Sequence, residues 1–206
     1  MSTMVQTSRL VLASSSPRRR QLLAEAGYEF SVVSPPIEEP AQWRETVSPA
    51  GLAEALAYFK ARCVAEIEPA ASILGADTVV AAGGRLMGKP DGRRQAERML
   101  GELSGTRHAV ITGVALLGPD GWRRIDSDVT YVTMRPMRPA EIEDYLASGE
   151  WIGKAGAYAI QETADRFVER IEGSFTNIVG LPIELVGRMV EQIGGPRPDG
   201  TPGIAC

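Results

Sequence analysis

The chain has 206 residues, 44% of them hydrophobic and 23% charged, with a net charge of -4 and a single histidine. That is enough chain for a real core, too acidic for long-range attraction to nucleic acid polymers or anionic membranes, and too poor in histidine for a His-based triad or a His-rich zinc site. No apolar run approaches the roughly 20 residues needed to span a bilayer.

Taken in order, the N-terminus MSTMVQTSRLVLA has no separate apolar region and cleavage site of the secretory kind, so the cytoplasm is the expected location. The two cysteines, Cys63 and Cys206, are too far apart to suggest a disulfide framework. Arg9 to Gly27 reads as strand, tight loop and helix. Leu10–Ala13 is the apolar strand, Ser16 an N-cap, Pro17 the first helical residue, and Gly27 a left-handed end. Leu22, Leu23 and Ala26 share one side of that helix. A helix N-terminus presents free N–H groups and partial positive charge, and Arg18, Arg19 and Arg20 add guanidinium forks. Read alone, the stretch serves equally as an anion seat and as a solvated basic helix edge.

Tyr28–Val33 alternates as a strand, and Ser34–Pro40 is a loop carrying Glu38 and Glu39. Ser48–Glu66 has helical spacing, with Leu52, Leu56, Phe59 and Cys63 as its expected apolar face and Lys60 beside it. Ala71–Ala81 is the most apolar strand, interrupted by Asp77 and Thr78. Gly83-Gly84 predicts a hairpin returning through Arg85–Met87. Lys89 lies in the next loop, before a helix over Arg93–Leu103 that ends near Gly105. His108–Leu117 and Arg123–Thr133 are strands joined at Pro119-Asp120-Gly121. A helix over Pro139–Ala147, a loop passing into strand over Gly153–Gln161, a strand over Phe167–Ile171 and a helix over Pro182–Ile193 complete the pattern. Residues 194–206, rich in Pro and Gly, read as a disordered tail. The expected fold is α/β: one elongated domain with a central mixed, twisted sheet flanked by helices, with room for two lobes around a cleft. Its expected bounds are 9–193, after an extension at 1–8.

Asp77 is the sharpest single residue, because a carboxylate inside ILGADTVV is costly to bury unpaired. The other polar residues have ordinary readings when taken singly: Lys60 as a snorkelling helix lysine, Lys89 as an exposed loop lysine, Glu38 and Glu39 as a solvated loop, Gln161 as a strand residue. Together, acids and bases interleaved at strand ends suit phosphoryl chemistry, where carboxylates hold a hard cation and cations neutralise phosphate oxygens.

The ordered set ASSSPRRRQLL, IEEP, LAYFKA, ILGADTVV, MGKP, KAGAYAIQ and GSFTNIVGLP resembles the Maf family of nucleoside triphosphate pyrophosphatases, from Leu10 to about Val186. The resemblance implies that Arg18 and Arg19 bind the triphosphate, supported by Ser14 and Ser16. It implies that Glu39 and Asp77 place a divalent metal (Mg2+, Mn2+ or Co2+) and that Asp77 accepts the proton of the attacking water. Lys60 and Lys89 would contact phosphates, and Thr78 and Gln161 would help select the base. The implied reaction cleaves between the α- and β-phosphates, in a homodimer. KAGAYAIQ is similar to the branch preferring dTTP and UTP, and the amide of Gln161 can pair with a pyrimidine edge. Glu162 stands where the family commonly has glycine after this glutamine, and Ser15 also replaces a frequent glycine. An alternative role, suggested by the family's association with septum formation, is a nucleotide-binding regulator acting through protein partners. With aromatic residues at 6%, nothing suggests a base-stacking nucleic acid binder.

Overall fold

A computed structural model of the chain describes residues 9–36, 47–161 and 163–192. The elements are β1 (Leu10–Ala13), α1 (Pro17–Glu25), β2 (Phe30–Val32), α2 (Pro49–Ala65), β3 (Ser72–Ala82), β4 (Arg85–Met87), α3 (Arg93–Leu103), β5 (Arg107–Leu117), β6 (Arg123–Met134), α4 (Pro139–Ser148), β7 (Val168–Glu172), α5 (Phe175–Val179) and α6 (Ile183–Gln192). The strands form one seven-stranded sheet in the order β2-β1-β3-β5-β6-β7, with β4 also paired to β3. β1 is parallel to β2 and β3, and every other pairing is antiparallel, so the sheet is mixed as the hairpin signals required.

The two faces of the sheet are covered unequally. Leu74, Ala76 and Val80 of β3 and Val110, Val114 and Leu116 of β5 face a large core built with α1, α3, α4, α5 and α6. The alternate residues face α2 alone, in two smaller clusters. Val11, Ile73 and Ala115 meet Ala57, Ala61 and Val64 in one; Val79 and Ile111 meet Leu52, Ala53 and Leu56 in the other. This is the period-two division of a buried strand, read out on both sides.

α2 lies very close to the sheet. A Cβ built on Gly113 would stand 2.2 Å from the backbone carbon of Ala53, and one on Gly75 would stand 2.4 Å from the carbonyl oxygen of Ala57. The absence of a side chain at these two positions, facing the alanines of α2, permits the approach. It also sets the helix's buried face, which runs through Leu52, Ala53, Leu56, Ala57, Lys60, Ala61 and Val64. The sequence expectation of Phe59 and Cys63 on this face is corrected: Phe59 is 48% exposed and Cys63 only half-buried. Alanines stand where that stripe comes closest to the sheet, at Ala53, Ala57 and Ala61, because the contact there is with the bare backbone of the two glycines.

The predicted strand at the end of Gly153–Gln161 is also corrected. The segment forms a single 3-10 turn at Ala155–Ala157, with Gly156 at φ 67° and Ala157 at φ 61°, and then an irregular stretch. Two short elements escaped the sequence reading, α5 and a 3-10 turn at Thr163–Phe167. The expectations for residues 1–8, Glu38, Glu39, Glu162 and residues 194–206 lie outside the described residues. Among the described residues no helix is long and apolar enough to cross a membrane.

The Gly113→Ala variant is expected to lose about 3 kcal/mol of stability in urea unfolding, because backbone must shift to admit the methyl group. Gly101→Ala, inside α3 with nothing within 4 Å of its added Cβ, is expected to gain about 1 kcal/mol.

Candidate active site

The site begins with a break in strand pairing. β1 pairs with β3 only as far as Ala13 beside Gly75, and β4 takes up the same side of β3 only from Met87 beside Val80. Along Ala76–Val79, β3 therefore has no strand neighbour on that side among the described residues, while its other side is paired to β5 from Ile73 to Ala81. A central strand becomes an edge strand for the length of this notch. The loop Ser14–Ser16 leaves β1 at its rim and runs directly into the N-terminus of α1. Parallel strand ends beside a helix N-terminus are a recurrent ligand position in α/β sheets.

Asp77 and Thr78 occupy the notch as consecutive residues, so they point to opposite faces. On the α2 face, the Lys60 ammonium and the Asp77 carboxylate form an ion pair, with side chains only 11% and 8% exposed. Along β3, Asp77 falls between Ile73 of one apolar cluster under α2 and Val79 of the other. Burying both charges carries a desolvation cost that their mutual attraction helps to offset. Gly113 is the register partner of Asp77, so the closest approach of α2 lies beside the carboxylate that Lys60 meets.

On the opposite face, Arg19 projects from the first turn of α1. Its Nε donates to the carbonyl oxygen of Gly180 at 2.7 Å, one terminal nitrogen to Thr78 Oγ1 at 3.1 Å, and the other to Ser14 Oγ at 3.4 Å. Ser14 Oγ also accepts from the backbone N–H of Ser16 at 3.2 Å, and Ser16 caps α1 by accepting from the N–H of Arg19. The N-cap, the proline and the left-handed Gly27, at φ 80°, all stand as the sequence predicted. Arg18 is half-buried beside Arg19.

Ser14, Ser16, Arg19 and Thr78 are thus joined by direct contacts, as are Lys60 and Asp77. Lys89 and Gln161 are both exposed on loops. Those loops are tied together: the N–H of Gly156 donates to the carbonyl of Gly88 at 3.1 Å, linking MGKP to KAGAYAIQ. The second segment is anchored again by Tyr158, whose hydroxyl lies 2.8 Å from His108 Nε2, and by Ala159, whose N–H donates to the Tyr145 hydroxyl at 3.3 Å. Burial pushes the His108 imidazole down to about 4 and the Tyr158 phenol well above its ordinary range. The only histidine is a neutral structural group in this anchor.

Thr112, Thr130, Asn177 and Gly180 were missed by the sequence reading, and all four are buried on the Arg19 face or over it. Thr112 interrupts the apolar RHAVITGVALL as Asp77 interrupts ILGADTVV, so the same signal was available. Asn177 lies within GSFTNIVGLP, a segment noted for its resemblance without any role for the amide.

A family model described as Maf-like protein matches residues 9–193. The chain belongs to the Maf-like protein family. A dTTP/UTP pyrophosphatase from a Geobacillus species is 45% identical over 185 residues, covering 90% of this chain and 98% of that relative. A dTTP/UTP pyrophosphatase from Moorella thermoacetica is 46% identical over 188 residues, covering 91% and 96%. Among solved structures, the Staphylococcus aureus Ham1 protein aligns over 90% of this chain and 99% of its own with a TM-score of 0.51 at 14% identity, a likeness of fold.

The buried imidazole gives this region a pH signature. In the unfolded chain His108 takes a proton near 6.5, whereas in the fold it resists protonation down to about 4. As pH falls, the unfolded state binds this proton first, so stability is lost between about pH 6.5 and pH 4 and is unaffected by this group above that window. Urea unfolding of wild type should lose about 2–3 kcal/mol more than His108→Gln between pH 7 and pH 4.5. Parallel losses in the two proteins would remove His108 as the cause.

Proposed function

We propose that the chain is a nucleoside triphosphate pyrophosphatase acting on dTTP and UTP, releasing the monophosphate and pyrophosphate. The observation that carries this reading is the buried Lys60–Asp77 pair at the open edge of β3, one residue along the chain from the Thr78–Arg19 grip. Family membership and the names of the relatives support the reaction class and the pyrimidine preference.

In this reading Arg18 and Arg19, with Ser14 and Ser16, bind and orient the triphosphate at the N-terminus of α1. Water attacks the α-phosphorus, the bond from that phosphorus to the bridging oxygen breaks, and pyrophosphate departs with the bond's electron pair. Asp77 takes the proton of the attacking water. Lys60 compensates the carboxylate, and Lys60 and Lys89 neutralise charge growing on the leaving group. Gln161, at the end of the anchored KAGAYAIQ segment, reads the base edge through its amide. The protein acts as a homodimer in the cytoplasm.

A divalent cation fits the donor chemistry in one specific way. Among the described residues, no group of three or more His, Cys, Asp or Glu side chains forms a metal site. Asp77 supplies a hard oxygen ligand, Glu39 would supply a second, and substrate phosphate oxygens would complete the set, as Mg2+ commonly requires. Bound there, the ion would polarise the phosphoryl oxygens and offset their charge.

A panel of nucleoside triphosphates assayed with Mg2+ should yield pyrophosphate, fastest from dTTP and UTP; release of orthophosphate would overturn the reaction class. Asp77→Asn should lower kcat by about 10²–10⁴-fold with the fold intact by circular dichroism. Near-normal turnover in that variant would remove Asp77 as the proton acceptor.

A further inference from the structure

Half-buried Thr78 and fully buried Thr112 and Asn177 connect Arg19 to the middle of the sheet, and the protons of the two hydroxyls can be assigned. Thr112 Oγ1 donates to the backbone carbonyl of Asn177 at 3.0 Å, because a carbonyl can only accept. Thr112 Oγ1 and Thr78 Oγ1 are 2.9 Å apart, and with the Thr112 proton committed, Thr78 must be the donor. Thr78 Oγ1 in turn accepts from the Arg19 guanidinium at 3.1 Å. The direction is fixed from end to end: Arg19 donates to Thr78, Thr78 to Thr112, and Thr112 to Asn177.

The far end of this chain is clamped. The Asn177 amide nitrogen donates to the carbonyl of Val110 at 3.0 Å and to Thr130 Oγ1 at 2.9 Å, using both of its protons. Thr130 Oγ1 also accepts from the N–H of Ser174 and donates to the carbonyl of Ser174. Asn177 and Thr112 are both fully buried. The C-cap of α5 delivers the Gly180 carbonyl to Arg19 Nε, so one short segment holds the guanidinium directly through Gly180 and, through Thr112 and Thr78, at a second edge.

We propose that Thr78, Thr112 and Asn177 are positioning residues for Arg19 and, through it, for the phosphate grip of the site. The single Thr78 proton is spent on Thr112, so toward Arg19 the hydroxyl serves as an acceptor of fixed orientation. This inference rests on the reading of Arg19 as a triphosphate ligand.

The test is steady-state kinetics with dTTP, UTP and dCTP, together with inhibition by inorganic tripolyphosphate and by dTMP. Thr78→Val should raise KM about tenfold for all three nucleotides alike and weaken tripolyphosphate inhibition similarly, with inhibition by dTMP little changed. Thr78→Ser should restore wild-type values. Thr112→Val should act in the same direction and Thr112→Ser should reverse it; if Thr112→Val fails to fold, the partly exposed Thr78 carries the test. In an Arg19→Ala background, Thr78→Val should add nothing. A shifted preference among dTTP, UTP and dCTP with tripolyphosphate inhibition intact would overturn the proposal, as would effects additive with Arg19→Ala. If Arg19→Ala alone left KM and tripolyphosphate inhibition unchanged, the failure would lie with Arg19 as a phosphate ligand.

Discussion

The buried pair of Lys60 and Asp77 depends on how closely α2 can approach the sheet. A lysine near the middle of a 17-residue helix ordinarily extends its ammonium to water along the surface. Here the backbone of α2 rests on Gly75 and Gly113, and the helix face that points inward includes Lys60. The carboxylate it meets belongs to Asp77, the register partner of Gly113. Charge, helix packing and strand register are one constraint, and Asp77 falls along β3 between the two apolar clusters under α2.

β3 carries the consequences to both sides of the sheet. Its apolar residues build two unequal cores, and its polar residues interrupt each core once, with Asp77 under α2 and Thr78 under α1 and α5. The interruption coincides with the stretch where the strand lacks a neighbour on one side. The early end of β1 and the short return of β4 place the acid–base pair and the arginine grip beside the same gap in strand pairing among the described residues, although they belong to different faces.

Much of the fold was legible because its signals are local. Ser16, Pro17 and Gly27 set the limits of α1, Gly83-Gly84 set the β3–β4 hairpin, and Asp77 announced itself by its apolar surroundings. What failed to read depends on contacts distant in sequence. Phe59 looked like core because size and spacing favoured it, yet a backbone-close helix wants alanines, and that closeness is set by glycines on two other strands. KAGAYAIQ looked strand-like in its last residues, but it is held by Gly88, His108 and Tyr145 instead of by a ladder. The polar chain behind Arg19 links positions as far apart as 19, 78, 112 and 177, and no local pattern could have joined them. Glu39, carried by resemblance to its family, lies outside the described residues.

The two glycines under α2 also act as a check on alignment. In a strand, a shift of one residue exchanges the faces of every side chain. Were β3 to pair with β5 one position out, the face beneath α2 would receive Leu74 or Ala76 where the bare backbone of Gly75 is needed, and the helix could not settle. The misaligned sheet would therefore be rejected by collision before its acid and its hydroxyl could trade sides. Assembly of the correct chemistry is enforced here by steric exclusion at positions that touch no charge at all.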